Sequence, residues 1–279
     1  MSNSPIIITG MHRSGTSLLS KLLIKNSFNF GYYRDINNES IYFQRLNRWI
    51  MSCRGSSWDN PLTFSDMNDE DLDIIVIRIK ELINNRFPNS LYFGFPNILF
   101  NKSFSNISEN WAWKDPANIF TNIIWKKIFP DLKIINIVRN PIDVSISLLK
   151  RQKELKSTDK YIFTNFLASF IPLLSVNKGG ILSSFNLENI DDCLLLYKKY
   201  LNEMKSNNNI YKGNIINVHY EDLLENPMDE LLKIYDFCNL KNHNVEVIAK
   251  NINSKNLNKY THSNYSYNKS LLNDLIFDF

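Results

Sequence analysis

Residues 6–17 read Ile-Ile-Ile-Thr-Gly-Met-His-Arg-Ser-Gly-Thr-Ser, and this stretch decides the fold. A short apolar run, typical of a buried strand, leads into a glycine-containing turn, and Ser17 then begins an amphipathic helical pattern. The turn has the spacing of a phosphate-binding loop, G-x-x-x-x-G-K-[ST], whose backbone N–H groups close around an anion at a helix N-terminus. The order of strand, loop and helix therefore predicts an α/β protein that binds a phosphate-like group.

One position of this loop departs from the pattern. Thr16 stands where a nucleotide-hydrolysing loop has the Lys that reaches the terminal phosphates, whereas Arg13 supplies positive charge from inside the loop. We therefore expect a phosphate-like donor other than ATP used in the usual way. Gly-rich strand–turn–helix junctions are common, so the loop by itself also fits an ordinary turn.

A second stretch supports the first. Residues 131–138, Asp-Leu-Lys-Ile-Ile-Asn-Ile-Val, predict a buried strand, and Arg139 follows directly. Pro141 suits the first turn of a helix, and Ser147 lies two turns into that helix. Because ligands in open α/β sheets bind outside the carboxyl ends of the strands, Arg139 and Ser147 can face one anion. Alternatively, Arg139 caps a carbonyl and Ser147 lies on a solvated helix face.

The two stretches together resemble the sulfotransferase family, whose donor is 3′-phosphoadenosine-5′-phosphosulfate (PAPS). Residues 10–17 are similar to its 5′-phosphosulfate loop, G-x-x-R-S-G-T-[ST], and residues 138–147 to its 3′-phosphate motif, V-R-N-P-x-D-x-x-x-S. Residues 111–116, Trp-Ala-Trp-Lys-Asp-Pro, and residues 218–227, Val-His-Tyr-Glu-Asp-Leu-Leu-Glu-Asn-Pro, are similar to two further family segments. The resemblance covers most of the chain, from residue 5 to about residue 240.

The resemblance implies a P-loop-containing three-layer α/β/α fold with a central parallel sheet, as a single domain over residues 1–279. It implies PAPS as the donor cosubstrate and no requirement for a metal. A late loop closes over the adenosine in the family, and the polar segment 239–279 is the candidate for it. The residues expected to bind the donor are His12, Arg13, Ser14, Gly15, Thr16, Ser17, Arg139 and Ser147.

The acceptor hydroxyl needs a base. Small-molecule members of the family use a His in a K-T-H segment, but the comparable stretch here is Lys114-Asp115-Pro116. Bacterial and carbohydrate members instead have a Glu shortly after the first helix. Aligning Leu46-Asn47 with their pattern places Glu39 there, although residues 36–38 replace the Gly-aromatic-aromatic that precedes it.

The resemblance thus implies Glu39 as the catalytic base and Lys114 as a contact to the sulfuryl oxygens. Alternatively, Glu39 is a helix N-terminal carboxylate and Lys114 a snorkelling side chain beside Trp113.

Composition limits the class of protein. A chain of 279 residues with 44% hydrophobic residues is sufficient for one large α/β domain. A net charge of only +4 gives no support for nucleic-acid binding, and the histidines show no metal-ligand spacing. Three well-separated cysteines indicate free thiols in a reducing compartment.

No signal peptide is visible, and the longest apolar stretch, residues 161–176, is too short to span a bilayer. We therefore expect a cytoplasmic enzyme that acts on a small-molecule, saccharide or other hydroxyl acceptor, with a saccharide favoured. Nothing in the sequence indicates the oligomeric state.

Two other functions fit the same stretches. The first is a P-loop nucleotide kinase or NTPase, against which Thr16 counts, as does the lack of an Asp near Val138 to hold Mg²⁺. The second is a catalytically silent nucleotide-binding protein of the same fold. Ala117, where relatives often have Arg, and the replaced residues 36–38 are its best support.

The hydrophobic pattern predicts alternating strands and helices, which favours a parallel sheet covered by helices on both faces. Strands are expected near residues 5–9, 111–114, 133–138 and 214–218. Helices are expected near residues 16–26, 40–52, 69–86, 117–128, 141–155, 159–176, 189–207 and 228–238. Two long irregular loops, residues 53–68 and 87–110, are the segments expected to select the acceptor.

Overall fold

A computed structural model describes residues 4–95, 103–162, 181–240, 245–252, 257, 265–273 and 275, with the backbone alone for residues 160–162. Within these residues, four parallel strands form one sheet in the order β2-β1-β3-β4. The strands are β1 (Ile6–Gly10), β2 (Ala112–Lys114), β3 (Lys133–Val138) and β4 (Ile215–His219). Each lies within one residue of its predicted range. For β1, β3 and β4 the reason is that runs of Ile and Val are a strong strand signal, whereas β2 is Ala-Trp-Lys.

The helices alternate with the strands along the chain. They are α1 (Thr16–Lys25), α2 (Ile41–Cys53), α3 (Asp69–Asn84), α4 (Arg86–Phe93), α5 (Asn118–Ile128), α6 (Pro141–Ile162), α7 (Ile190–Ile210), α8 (Tyr220–Glu225), α9 (Pro227–Phe237) and α10 (Val245–Lys250), followed by a 3₁₀ turn at Lys269–Leu272.

Both faces of the sheet are covered, which confirms the predicted three-layer α/β/α fold. Ile7 and Ile134 point to one face and pack with buried side chains of α2, α3 and α5. Ile135 and Ile137 point to the other face and pack with α1, α8 and α9. A third cluster joins α6 to α7 around Val138 at the end of β3. The period-two alternation along each strand produces this division.

The predicted break between residues 155 and 159 is wrong. Helix α6 continues without interruption to Ile162, and residues 163–176 of the expected second helix lie outside the described residues. The polar residues at this point do not end the helix because Ser157 and Thr158 both donate to the carbonyl of Glu154, one turn back.

The expectation of an irregular loop over residues 87–110 is also wrong at its start. The preceding helix ends at Asn84, and α4 follows from Arg86. The side chain of Asn85 accepts a hydrogen bond from the Phe87 N–H and so caps α4, which tolerates Pro88 in its first turn. Helix α10 likewise lies in a segment where the sequence showed no periodicity.

None of the helices formed by the described residues is both long enough and apolar enough to cross a membrane.

Candidate active site at the carboxyl edge of the sheet

All four strands end at the same edge of the sheet because they are parallel. The phosphate-binding loop follows β1, Lys114 ends β2, Arg139 follows β3 and Tyr220 follows β4. The residues that the sequence predicted for the site therefore lie at this edge, which is where open α/β sheets bind ligands.

The loop after β1 is tightly constrained. Gly10 and Gly15 have φ angles of 149° and 107°, and Arg13 has φ 72°. A Cβ atom on Gly15 would lie 2.7 Å from Cε2 of Tyr220, and one on Gly10 would lie 2.8 Å from Cγ2 of Ile137. Only glycine fits both the backbone conformation and the space at these two positions.

Helix α1 begins directly after this loop, at Thr16. The first N–H groups of a helix have no partner within it, so the first turn presents donors toward the loop. Ser14 and Thr16 have buried side chains, and Ser17 is partly exposed. Ser14 uses its backbone N–H within the loop, donating to the Met11 carbonyl at 3.1 Å.

The loop and the second motif are joined by hydrogen bonds. Nε of Arg13 donates to Oγ of Ser147 at 3.0 Å, across 134 residues of sequence. Nη1 of Arg139 lies 3.4 Å from the Arg13 carbonyl oxygen, to which it donates. The structure thus brings together the two stretches that the sequence suggested for anion binding.

Arg139 is buried and held from several sides. Nη2 forms an ion pair with Oδ2 of Asp143 at 2.8 Å, and the carboxylate of Asp143 is fully buried. The guanidinium also lies over the ring of Tyr220, 4.4 Å from its centroid, a cation–π contact. Neither partner was predicted as functional, although Asp143 lies within the second motif and one helical turn from Arg139.

The two residues predicted to be catalytic form an ion pair with each other. Nζ of Lys114 lies 2.7 Å from Oε1 of Glu39, and their side chains are 1% and 12% exposed. Oε2 of Glu39 accepts from Nε2 of Gln44 at 2.7 Å. Lys114 also reaches the first turn of α1, where its Nζ is 3.5 Å from Oγ of Ser17. Lys114 therefore connects Glu39 to the phosphate-binding loop.

Asp115, the next residue, is a structural acceptor. Its Oδ1 accepts from the Ala117 N–H at 2.9 Å, and its Oδ2 accepts from Asn47 at 2.9 Å. Burial raises the pKa of Asp115, and the nearby carboxylate of Glu39 raises it further. These two hydrogen bonds tie Asp115 to Asn47 on α2 and to the backbone just before α5.

Asn47, on α2, connects this helix to Asp115 and to α5. Its side chain is fully buried and makes four hydrogen bonds. Nδ2 donates to Asp115 and to Asn118, whereas Oδ1 accepts from Thr121 and from the indole of Trp125, all between 2.8 and 2.9 Å. The amide thus uses its full capacity of two donors and two acceptors.

His12, in the loop after β1, contacts aromatic side chains. Its ring packs edge-on against Trp58 and Tyr200, with centroid distances of 4.8 and 6.1 Å. Burial, reinforced by the charge of Arg151, holds its pKa well below the usual value, although Asp59 opposes the shift. Its Nε2 is buried and makes no hydrogen bond to the described residues. His12 is therefore neutral near pH 7.

Among the described residues, no group of three or more His, Cys, Asp or Glu side chains could hold a metal ion.

The family model described as "Sulfotransferase family" matches residues 5–244, and the chain belongs to this family. Two solved structures have a similar fold. The sulfotransferase domain from the curacin biosynthetic pathway is 15% identical with a TM-score of 0.53, and the alignment covers 98% of this chain and 96% of that one. The sulfotransferase domain from the olefin synthase of Synechococcus PCC 7002 is 13% identical with a TM-score of 0.51, covering 100% of this chain and 96% of that one. No curated protein sequence matches this chain.

Proposed function

We propose that this protein transfers a sulfuryl group from PAPS to an acceptor hydroxyl. Family membership supports sulfuryl transfer as the general activity. The observation that carries the choice of donor is the contact between the two anion-binding stretches, through Arg13, Ser147 and Arg139. A donor with phosphates at both the 5′ and the 3′ position needs two adjoining anion sites, whereas AMP needs one.

In this proposal the loop and the first turn of α1 hold the 5′-phosphosulfate. His12, Arg13, Ser14, Gly15, Thr16 and Ser17 supply this part of the site, mainly through backbone N–H groups and the charge of Arg13. Arg139 and Ser147 hold the 3′-phosphate. Arg139 suits this role because Asp143 and Tyr220 already fix its guanidinium before a ligand arrives.

Glu39 and Lys114 are proposed to carry the chemistry. The acceptor oxygen attacks sulfur, a new O–S bond forms, and the bond from sulfur to the 5′-phosphate oxygen breaks, releasing 3′-phosphoadenosine-5′-phosphate (PAP). Glu39 takes the hydroxyl proton, and the ammonium of Lys114 stabilises charge on the sulfuryl oxygens. The 3.5 Å separation between Lys114 Nζ and Ser17 Oγ supports this role, because Ser17 belongs to the part of the site proposed for the 5′-phosphosulfate.

The acceptor is proposed to be a small molecule with a hydroxyl, with a saccharide favoured. A single domain over residues 1–279 and a cytoplasmic location also stay predictions.

The donor is tested first, by thermal unfolding with PAP, AMP and ATP–Mg²⁺. PAP at a hundredfold excess over its Kd should stabilise the protein by ~2.7 kcal/mol, and AMP at the same concentration should do much less. Stabilisation by ATP–Mg²⁺ without an effect of PAP would refute the proposal in favour of a P-loop NTPase. Labelled PAPS and a panel of saccharides, small alcohols and tyrosine peptides then identify the acceptor. PAP binding without turnover on any of them would favour the catalytically silent protein.

A matched pair of variants tests the 3′-phosphate site. Ser147→Ala should weaken PAP binding more than AMP binding, because it removes a hydroxyl assigned to the 3′-phosphate, which AMP lacks. Ser157→Ala on the same helix removes an exposed hydroxyl that bonds only to the Glu154 carbonyl, so it should leave both affinities unchanged. Equal effects of Ser147→Ala on the two nucleotides would contradict the assignment.

A further inference from the structure

The peptide group between Arg139 and Asn140 is held on both sides by residues from other helices. The hydroxyl of Tyr197, on α7, donates to the Arg139 carbonyl oxygen at 2.7 Å. The N–H of Asn140 donates to Oε1 of Glu221, on α8, at 3.0 Å. These two hydrogen bonds satisfy both polar groups of one peptide plane.

This arrangement fixes the direction in which the Arg139 side chain leaves the backbone. A peptide group is planar, so holding its carbonyl oxygen and its N–H together fixes the orientation of the plane. The side chain of Asn140 holds the next turn, because its Oδ1 accepts from the Ile142 N–H at 2.9 Å. Tyr197 is only 4% exposed, so leaving its hydroxyl without a hydrogen-bond partner would destabilise the folded protein.

Tyr197 and Glu221 are hydrogen-bonded to this peptide, whereas Asp143 and Tyr220 are the partners of the guanidinium itself. The backbone and the side chain of Arg139 are thus fixed by separate groups. Such double support holds a binding residue in one geometry before the ligand arrives, which lowers the ordering cost of binding.

We propose that Tyr197 and Glu221 are positioning residues for the anion site of Arg139, and that they set the preference for a 3′-phosphorylated nucleotide. This inference rests on the proposed donor. Neither residue is expected to touch the nucleotide; both act through the peptide that carries Arg139.

The experiment measures Kd for PAP and AMP by isothermal titration, and the readout is the ratio of the two. Tyr197→Phe keeps the ring and removes one hydroxyl, so the preference for PAP should fall about two- to tenfold, as expected for one net hydrogen bond. Glu221→Leu and Glu221→Gln both remove the negative charge, but only Gln keeps an oxygen that can accept from Asn140. The preference should therefore be lower in Glu221→Leu than in Glu221→Gln.

Tyr92→Phe is the matched control. Tyr92 is also fully buried, and its hydroxyl donates to the backbone carbonyls of Asn29 and Ala112, at the β2 edge of the sheet. This variant should lose stability without a change in the PAP-to-AMP ratio. A ratio that falls equally in Tyr92→Phe, or that is unchanged in both Tyr197→Phe and Glu221→Leu, would overturn the inference. A wild-type protein without preference for PAP would instead overturn the proposed donor.

Discussion

Replacing Glu39 by Gln should affect both stability and turnover, because Glu39 is the charge partner of buried Lys114. Removing one partner of a buried ion pair costs ~3–5 kcal/mol, since it leaves the other charge uncompensated. Glu39 is slightly exposed, and Gln keeps an oxygen that can accept from Lys114. We therefore expect the lower end of this range, ~3 kcal/mol, or a fall in Tm of about 6–12 °C.

A double variant separates the two effects. Adding Lys114→Met to Glu39→Gln removes the stranded charge and keeps a side chain of similar length, so most of the lost stability should return. Turnover should not return, because the proton acceptor is still absent; kcat should stay at least ~10²-fold below that of the wild-type protein. Differential scanning calorimetry measures Tm, and formation of the labelled sulfated acceptor measures kcat.

Glu81→Gln is the control for stability. Glu81 pairs with Arg78 at 2.8 Å on the exposed face of α3, where both side chains are more than half exposed. Loss of such a surface pair should produce little change in Tm. If the loss of stability in the double variant equals the sum of the losses in Glu39→Gln and in Lys114→Met alone, the coupling of Lys114 with Glu39 is refuted. Restored turnover in the double variant would show that Glu39 is not the base.

Three further predictions concern the loop. Gly15→Val should lower both Tm and PAP affinity, because the new side chain meets the Tyr220 ring at a φ of 107°; an unchanged melting curve would contradict the packing described for this loop. Arg13→Ala should reduce kcat more than PAP affinity in steady-state kinetics and titration, since its charge stabilises oxygens that become more negative during transfer; a loss confined to PAP affinity would reassign it to binding. The lowered pKa of His12 means that the unfolded chain takes up its proton first as the pH falls below 6.5. The unfolding free energy of the wild-type protein should therefore fall, relative to that of His12→Gln, by up to ~1.4 kcal/mol per pH unit in that range. Denaturant unfolding of both proteins measures this difference, in which the opposing effect of the raised Asp115 pKa cancels; a difference that does not change with pH would contradict the prediction.

The sequence predicted the sheet well because its signals are local. Strands β1, β3 and β4 are short runs rich in Ile and Val, whereas β2 was located from the Trp-Ala-Trp-Lys segment. The order of the strands in the sheet comes from the structure. Helix boundaries were less certain where polar residues occur inside helices. A helix was expected to end near residue 155, but α6 continues to Ile162, and the hydroxyl of Thr158 bonds within it. An irregular loop was expected from residue 87, but α4 spans Arg86–Phe93, with Pro88 in its first turn.

The site was predicted as separate residues and not as a set of contacts. Glu39 and Lys114 were each named from family-like segments, yet nothing in the sequence indicated that they pair across 75 positions. Tyr197 was missed altogether, because a Tyr on an amphipathic helix is most often a core residue and α7 carries no motif. Glu221 lay in a family-like segment that the sequence could not connect to Arg139.

The four hydrogen bonds of Asn47 have an evolutionary consequence. Aspartate has no donor for Asp115 and Asn118, and glutamine is one methylene too long. Leucine would remove all four hydrogen bonds, including those to Oδ2 of Asp115 and to the indole N–H of Trp125. A lineage that loses this amide must therefore change several of its neighbours at once or pass through a destabilised intermediate. We expect Asn47, Asp115, Asn118, Thr121 and Trp125 to be inherited together, while the loops predicted to select the acceptor diverge. Members of the family could then change their acceptor while these five residues and their hydrogen bonds stay the same.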